Sequence, residues 1–393
     1  MNPFSQCRAW LAASLLFVLG SCAAQAAPLF VLNSLDADVS VIDPSSWREI
    51  KRIPTGKEPH HLYMTPDEKS IIVANALADS LTFIDPRTAE IQKVVRGVMD
   101  PYHLRFSPDM KWLVTNGNRL HHVDLYRWDG NALTLAKRIS TGKTPSHLWI
   151  DSKSTVAYST MQDSDELVAI DLATQEIKWR IKTGPMPADV FATPDDKMLL
   201  VGLTGSDSVE VFDVSGPTPR SVRRIKTGAG AHAFRGAGDR KHVYLSNRVA
   251  NTISKIDLTT LTVVDTYPAP GGPDCMEVLA GGRYLLTTSR WARRLTRLTT
   301  AGVISTATQN STTTTSRGVT AKITSSGASA FFSPPMPMSV SQRVTLASQA
   351  VDSSQRNTLL TALSQKKYPS PSARPTSAIS GSSDSAITRG CRQ

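Results

Sequence analysis

The 393-residue chain is poor in cysteine, poor in aromatic side chains and without any long apolar run beyond its first two dozen residues. Its four cysteines, Cys7, Cys22, Cys275 and Cys391, lie too far apart to define a disulfide framework. No Cys-x-x-Cys-His occurs, which excludes covalent c-type haem, and no Cys/His spacing matches a zinc motif. There is no nucleophile motif, no phosphate-cradling glycine loop and no calcium loop. Amphipathic stretches of helical length are missing from the body of the chain. A basic face is missing too. Residues 1–298 carry 35 Lys and Arg against 31 Asp and Glu, and residues 299–393 carry 9 against 2, so the formal charge of +11 belongs mainly to the tail. Both signs interleave through the body, a pattern that excludes nucleic acid as the expected partner.

What is present begins with a targeting pattern. Arg8 precedes an apolar run from Ala9 to Gly20, too short to span a bilayer as a helix but suited to the core of a secretory signal. Ala24-Gln25-Ala26 offers a cleavage site before Ala27, and Leu19-Gly20-Ser21-Cys22 offers a lipobox in which Cys22 is lipidated. The first is favoured, giving a signal peptide over residues 1–26. Both readings export the mature chain to the periplasm or the medium, and outer-membrane anchoring follows only if Cys22 carries lipid.

A repeat fills the body. A short apolar strand ends in aspartate at Asp43, Asp85, Asp124, Asp171, Asp213 and Asp257, with spacings of 42, 39, 47, 42 and 44 residues. A period near 40 marks one repeat architecture, not independent domains. Each unit also has a glycine turn leading into a new strand, as in Thr55-Gly56-Lys57-Glu58-Pro59 and Thr141-Gly142-Lys143-Thr144-Pro145. A polar turn such as Thr65-Pro66-Asp67-Glu68-Lys69 follows, in which proline fixes φ and aspartate bonds its own backbone two residues on. Four short strands per unit predict an all-β fold, a seven-bladed β-propeller of four-stranded blades over residues 27–298. The glycine-turn strand is expected innermost, the strand ending in aspartate third, and the Lys/Arg-rich strand outermost, where its charges discourage edge pairing.

These units resemble the YVTN-type β-propeller repeat of exported bacterial proteins, with Ile72-Val73-Ala74-Asn75 and Tyr244-Leu245-Ser246-Asn247 standing at the Y-V-A-N position. The resemblance spans about residues 29–296 and is distantly similar to haem-d1 domains. It implies the fold and says little of chemistry, because relatives include binding proteins, lactonase-like enzymes and haem-d1 domains.

Six units read directly, and closure is incomplete. Arg297-Leu298-Thr299 stands where the sixth unit calls for a Val-Ile-Asp strand. Residues 299–393 form a low-complexity, basic tail with roughly a third Ser and Thr, expected to be disordered or to reflect a shifted reading frame. The N-terminal strands supply the second, third and outer strands of a blade whose innermost strand comes from the C-terminal side. Ala330-Phe331-Phe332-Ser333-Pro334 is a faint match for it.

Histidine clusters at the glycine turns. His61, His103 and His147 share one repeat position, Asp189 holds it in a fourth unit, and His232, Asp274 and Cys275 lie near it in two more. These side chains are expected to ring one channel mouth, where neutral imidazole could hold a transition metal or haem iron and protonated imidazole an anion. The competing reading is that the repeat copies a structural histidine. No catalytic set is left over, so the first expectation is an exported, non-catalytic propeller binding a small molecule or protein partner at the mouth through His61, His103, His147, Asp189 and His232. A haem-d1-like or metal-binding propeller is the alternative, and a lactonase-like hydrolase the second alternative. No cofactor is required by the sequence.

Overall fold

The computed structural model describes residues 27–279, 282–292 and 294–299, together with the backbone of the strands Gly302–Thr308 and Ile323–Ser325. The apolar start, Cys22, Ala330–Pro334 and most of the low-complexity tail lie outside the described residues.

Seven four-stranded antiparallel sheets form the blades of the propeller. Blades 2 to 7 each run from innermost to outermost strand in chain order, so every blade is a meander built from local hairpins. Their innermost strands are Pro59–Met64, Pro101–Phe106, Pro145–Ile150, Pro187–Ala192, Ala231–Gly236 and Pro273–Leu279. Blade 1 is composite. Leu29–Asn33, Asp38–Asp43 and Arg48–Pro54 are its second, third and outer strands, and Ile323–Ser325 pairs with Leu29–Val31 as the innermost. Among the described residues the only helical element is a single 3-10 turn, Ala76–Ala78.

The middle strands carry the core. Ile71–Asn75, Trp112–Gly117 and Val156–Met161 are buried along their whole length, because each sheet is covered on both faces by its neighbours. Side chains such as Ile72 and Leu200 are fully buried, each stabilising the fold by about 1.5–3 kcal/mol. Outer strands alternate instead, as in Glu176–Lys182, where Lys178, Arg180 and Lys182 line the polar side.

In five blades the strand-end aspartate caps its own turn. Asp85, for example, accepts hydrogen bonds from the backbone N–H groups of Arg87 and Thr88 at 2.8 and 3.1 Å, and Asp43, Asp171, Asp213 and Asp257 bond their own turns in the same way. Asp124 differs. It is buried and accepts from Arg138 Nε and Nη2 at 2.8 Å each and from the Tyr126 hydroxyl at 3.0 Å.

Two expectations need adjusting at the closure. Strand pairing continues through the place where the sixth direct repeat loses its pattern, with Leu285 opposite Leu298 and Arg297 opposite Ser305. Leu298 is buried at the usual isoleucine position and Leu295 is buried three residues before it, and at the valine position the Arg297 guanidinium stacks over Trp47 of blade 1 at 4.7 Å and Tyr284 at 5.2 Å. The repeat is therefore continued by other residue types. The closing strand is Ile323–Ser325, upstream of the segment from Ala330 that the sequence suggested.

Candidate functional site: a sealed imidazole ring

The innermost strands are alike in two ways that aim side chains at the channel. The residue before each begins in the left-handed region: Glu58, Asp100, Thr144 and Met186 have φ of 51, 46, 60 and 52°, and Gly230 and Gly272 have 77 and 69°. A non-glycine residue there costs of order 1 kcal/mol, and four blades accept it. A β-bulge follows at once, the register shifting between Pro59 and His61, Pro101 and His103, Pro145 and Leu148, and Pro187 and Val190. Bulges redirect side chains, and here they fall on the histidine position.

His61, His103 and His147 meet as a result. One ligand atom from each lies within 4.8 Å of the others. Ring centroids are 4.4 Å apart for His61 and His103, 4.6 Å for His103 and His147, and 4.9 Å for His61 and His147. His232 continues the row, 5.3 Å from His147. All four are buried, at 1 to 4% exposure, so the ring lies sealed inside the channel and not at an open mouth. Asp189 stands behind His147.

Each of the three clustered imidazoles has an orienting group at one ring nitrogen. His61 Nδ1 lies 2.5 Å from the Tyr102 carbonyl oxygen and 3.0 Å from His60 Nδ1. His103 Nε2 lies 2.7 Å from the Tyr63 hydroxyl, and His147 Nδ1 lies 3.1 Å from Asp189 Oδ1. Asp189 is itself fixed by the N–H groups of Val190 at 2.9 Å and Phe234 at 2.8 Å. A carbonyl, a hydroxyl and a carboxylate behind three imidazoles is the arrangement that sets tautomer and ring plane in histidine metal sites.

Electrostatics sort the remaining groups. Burial pushes the Asp189 carboxyl up, but the adjoining His147 and the Phe234 N–H outweigh it, and the net shift is downward. Asp274 is held well below the usual carboxylate range: burial opposes, and Arg248, His232 and Arg290 prevail. His232, 3.0 Å from Asp274, is pushed down to about 3, first by burial and then by the Arg248 charge. It is a neutral imidazole at physiological pH. Burial raises Tyr102 to about 12, and raises Tyr63 as well, so both remain neutral hydroxyls.

Sequence reasoning brought His61, His103, His147, Asp189 and His232 to one place. It missed the orienting tyrosines and a second layer two residues further along the same strands: Tyr63, Arg105, Trp149, Phe191, Arg235 and Glu277. Side chains alternate across a strand, so positions two apart share a face, and counting on by two from His61, His103, His147, Asp189 and the equivalent Ala233 and Cys275 would have found that layer. Cys275 holds the histidine position in blade 7, buried.

Comparison with known proteins agrees with the architecture. A family profile described as "YNCE-like beta-propeller" matches residues 5–322. The protein YncE of Salmonella typhi is 29% identical over 161 residues, 40% of this chain and 45% of the relative, so the alignment spans about half the length of that curated protein. Among solved structures, the periplasmic gluconolactonase PpgL of Pseudomonas aeruginosa superposes with a TM-score of 0.62 at 17% identity, covering 72% of this chain and 95% of that one. The dihydro-haem d1 dehydrogenase NirN superposes with a TM-score of 0.54 at 15% identity, covering 72% and 73%. At such identities the two structures report the fold alone.

Proposed function

We propose, from the premise that this chain belongs to the YNCE-like beta-propeller family, that it is an exported, non-catalytic binding propeller whose channel holds one transition-metal ion on His61, His103 and His147. The observation that carries the reading is the three-imidazole cluster with an orienting group behind every ring. Imidazole nitrogens suit Zn²⁺ and Cu²⁺, and a second shell of this kind is what raises their basicity. Export rests on the apolar start and its cleavage site.

The fit is close. Three atoms no more than 4.8 Å apart lie within about 2.8 Å of a common centre, against a Zn–N bond of about 2.0–2.1 Å, so each ring moves in by about 0.7 Å to close on an ion. A macrocycle is harder to seat, because rings 4.4 to 4.9 Å apart leave no slot for a planar tetrapyrrole among them. A single ion is therefore placed ahead of haem. The lactonase reading has only the neighbour's fold behind it.

Metal analysis and calorimetry on the full chain test this. One equivalent of Zn²⁺ or Cu²⁺ is expected, with affinity falling in acid because neutral imidazole is the ligand. A His61→Ala, His147→Ala variant should lose it. Equal binding by both proteins, or none by either, returns the histidines to a structural role.

A further inference from the structure

We propose that this chain pairs with a second copy of itself, across the face of the propeller on which the innermost strands begin. Each second strand ends where its innermost strand starts, Asn75 pairing with Pro59 and Ser289 with Pro273, so the loops that follow the second strands stand on that face. Those loops carry an exposed apolar residue in five consecutive blades of the ring. Val249 in blade 6, Leu35 in blade 1, Leu77 in blade 2 and Leu120 in blade 3 are 51 to 61% exposed, and Trp291 in blade 7 is partly exposed. The remaining exposed large apolar side chains lie on outer strands, and among the described residues none lies in the turns of the opposite face. One exposed leucine is ordinary, but the same loop apolar in blade after blade marks an interaction surface.

Neighbouring loops are joined. Ser34 Oγ donates to the Pro59 carbonyl across blades 1 and 2, Arg119 Nη2 to the Ala76 carbonyl at 2.8 Å across blades 3 and 2, and the Gly272 N–H to Asn251 Oδ1 at 2.8 Å across blades 7 and 6. The apolar residues are therefore held in fixed relation by the ring and not carried on separate arms.

Charge selects the occupant. The same loops add Asp36 in blade 1, Arg119 in blade 3, Asp163 in blade 4, Asp207 in blade 5, Arg248 in blade 6 and Arg290 in blade 7. Asp163 and Asp207 are exposed, and Arg119, though paired with the buried Asp100, is exposed as well. Asp36 and Asp207 have loose ion-pair partners in the chain, Arg52 at 3.8 Å and Lys226 at 3.9 Å. Arg248 and Arg290 share the one carboxylate of Asp274, which leaves that rim positive. Asp79 and Asp165 are engaged by backbone, accepting the N–H groups of Asp100 and Met186 at 2.8 and 2.7 Å.

A twofold axis lying in the face turns one ring over onto the other, and such an interface has to match itself. With the axis over blade 2, blade 1 meets blade 3, blade 7 meets blade 4 and blade 6 meets blade 5. Leu35 and Asp36 then face Leu120 and Arg119, Arg290 faces Asp163, Arg248 faces Asp207, and Leu77 meets its own copy. Every other axis that sets blade on blade brings at least one pair of like charges together, Arg290 on itself or Asp163 on Asp207 for example. A partner of one sign meets like charge on part of this rim, whereas a second copy so placed does not.

Size-exclusion chromatography with light scattering, on the full chain, tests the pairing. A dimer is expected whose dissociation constant rises at least tenfold in Leu77→Asp, and at least tenfold in Asp163→Arg, which sets arginine against Arg290. Ile50→Asp, a comparably exposed change on an outer strand, should dimerise like wild type. The His61→Ala, His147→Ala variant should do the same, which separates this surface from the metal site. Because Leu77 stands on the axis, a short bis-maleimide is expected to join Leu77→Cys to its own copy and not Ile50→Cys, with peptide mapping placing the link. A monomer at every concentration, wild-type dimerisation of Leu77→Asp or Asp163→Arg, loss of the dimer in Ile50→Asp or in the histidine variant, or no link at position 77 each overturns the proposal. Should Leu77→Asp misfold by circular dichroism, Asp163→Arg, whose carboxylate accepts the Thr144 hydroxyl at the surface, carries the same tenfold criterion.

Discussion

At the scale of single residues, the channel depends on what stands behind each imidazole. Asp189 fixes His147 and is itself fixed by two backbone N–H groups, so Asp189→Asn keeps the shape and removes the charge. The expected result is a 10- to 100-fold loss of metal affinity with little change in melting temperature, read by calorimetry and thermal unfolding. His232 gives a pH signature. Its folded value of about 3 lies below the unperturbed value of about 6.5, so between these the unfolded chain binds more protons than the folded one. Stability is therefore fully present above about pH 6.5 and falls as the pH drops through that window, by at most about 1.4 kcal/mol per unit. Asp274, lowered well below 3.8, loses its contribution only in stronger acid, so the range between pH 6.5 and 4.5 belongs to the histidine. Scanning calorimetry should show a melting temperature that declines across that range, and a shallower decline in His232→Gln. An unchanged slope would show that other groups set it.

At the scale of elements, three blades are pinned by an asparagine at the end of the second strand. Asn75 Nδ2 donates to the hydroxyls of Ser80 and Thr82 on the third strand at 3.3 and 3.0 Å, and Asn33 and Asn247 repeat the pattern toward Ser40 and Ser254 at 2.8 and 2.9 Å. This is why blades 1, 2 and 6 end that strand in asparagine. A buried Asn75→Ala strands two hydroxyls, and a loss of about 1–3 kcal/mol in urea unfolding is expected. The hairpin turns hold strain of the opposite kind. Met110 and Glu68 take φ of 58° just before the turn lysine, a left-handed conformation that favours glycine. Met110→Gly relieves an αL penalty of about 1–2 kcal/mol and pays part of it back in chain entropy. A net gain of up to about 1 kcal/mol is expected, and a lower melting temperature for the glycine variant would refute the account.

At the scale of the whole molecule, closure governs stability. The propeller is shut by pairing across its ends, Ile323–Ser325 on Leu29–Val31, and blade 7 keeps its outer strand at Gly302–Thr308. A chain ending at residue 298 cuts into the third strand of blade 7 and removes both its outer strand and the closing strand, leaving blade 1 with an open inner edge. Truncation after residue 325 leaves every described strand in place. The shorter form is expected to melt well below the longer one and to aggregate, as size-exclusion chromatography and thermal unfolding would report. Equal melting of the two forms would show that closure contributes nothing.

The sequence by itself determined the class of the fold, the number of blades, the order of strands within a blade and the position at which histidine recurs. These follow from local rules: a period near 40, turn residues that set φ, and alternation along each strand. Continuation through Arg297 was hidden, because an arginine stacked on Trp47 and Tyr284 does the work of an apolar residue and carries no apolar signal. The identity of the closing strand was equally hidden, being a pairing between residues almost 300 positions apart that no short-range pattern records. Only the tertiary structure decided that His61, His103 and His147, from three blades, lie close enough to share one ion and are sealed from solvent. It alone placed Arg105 over Trp149 with Arg235 in the same layer, because distance across the channel is set by how seven sheets pack around an axis, a quantity the spacing along the chain does not contain.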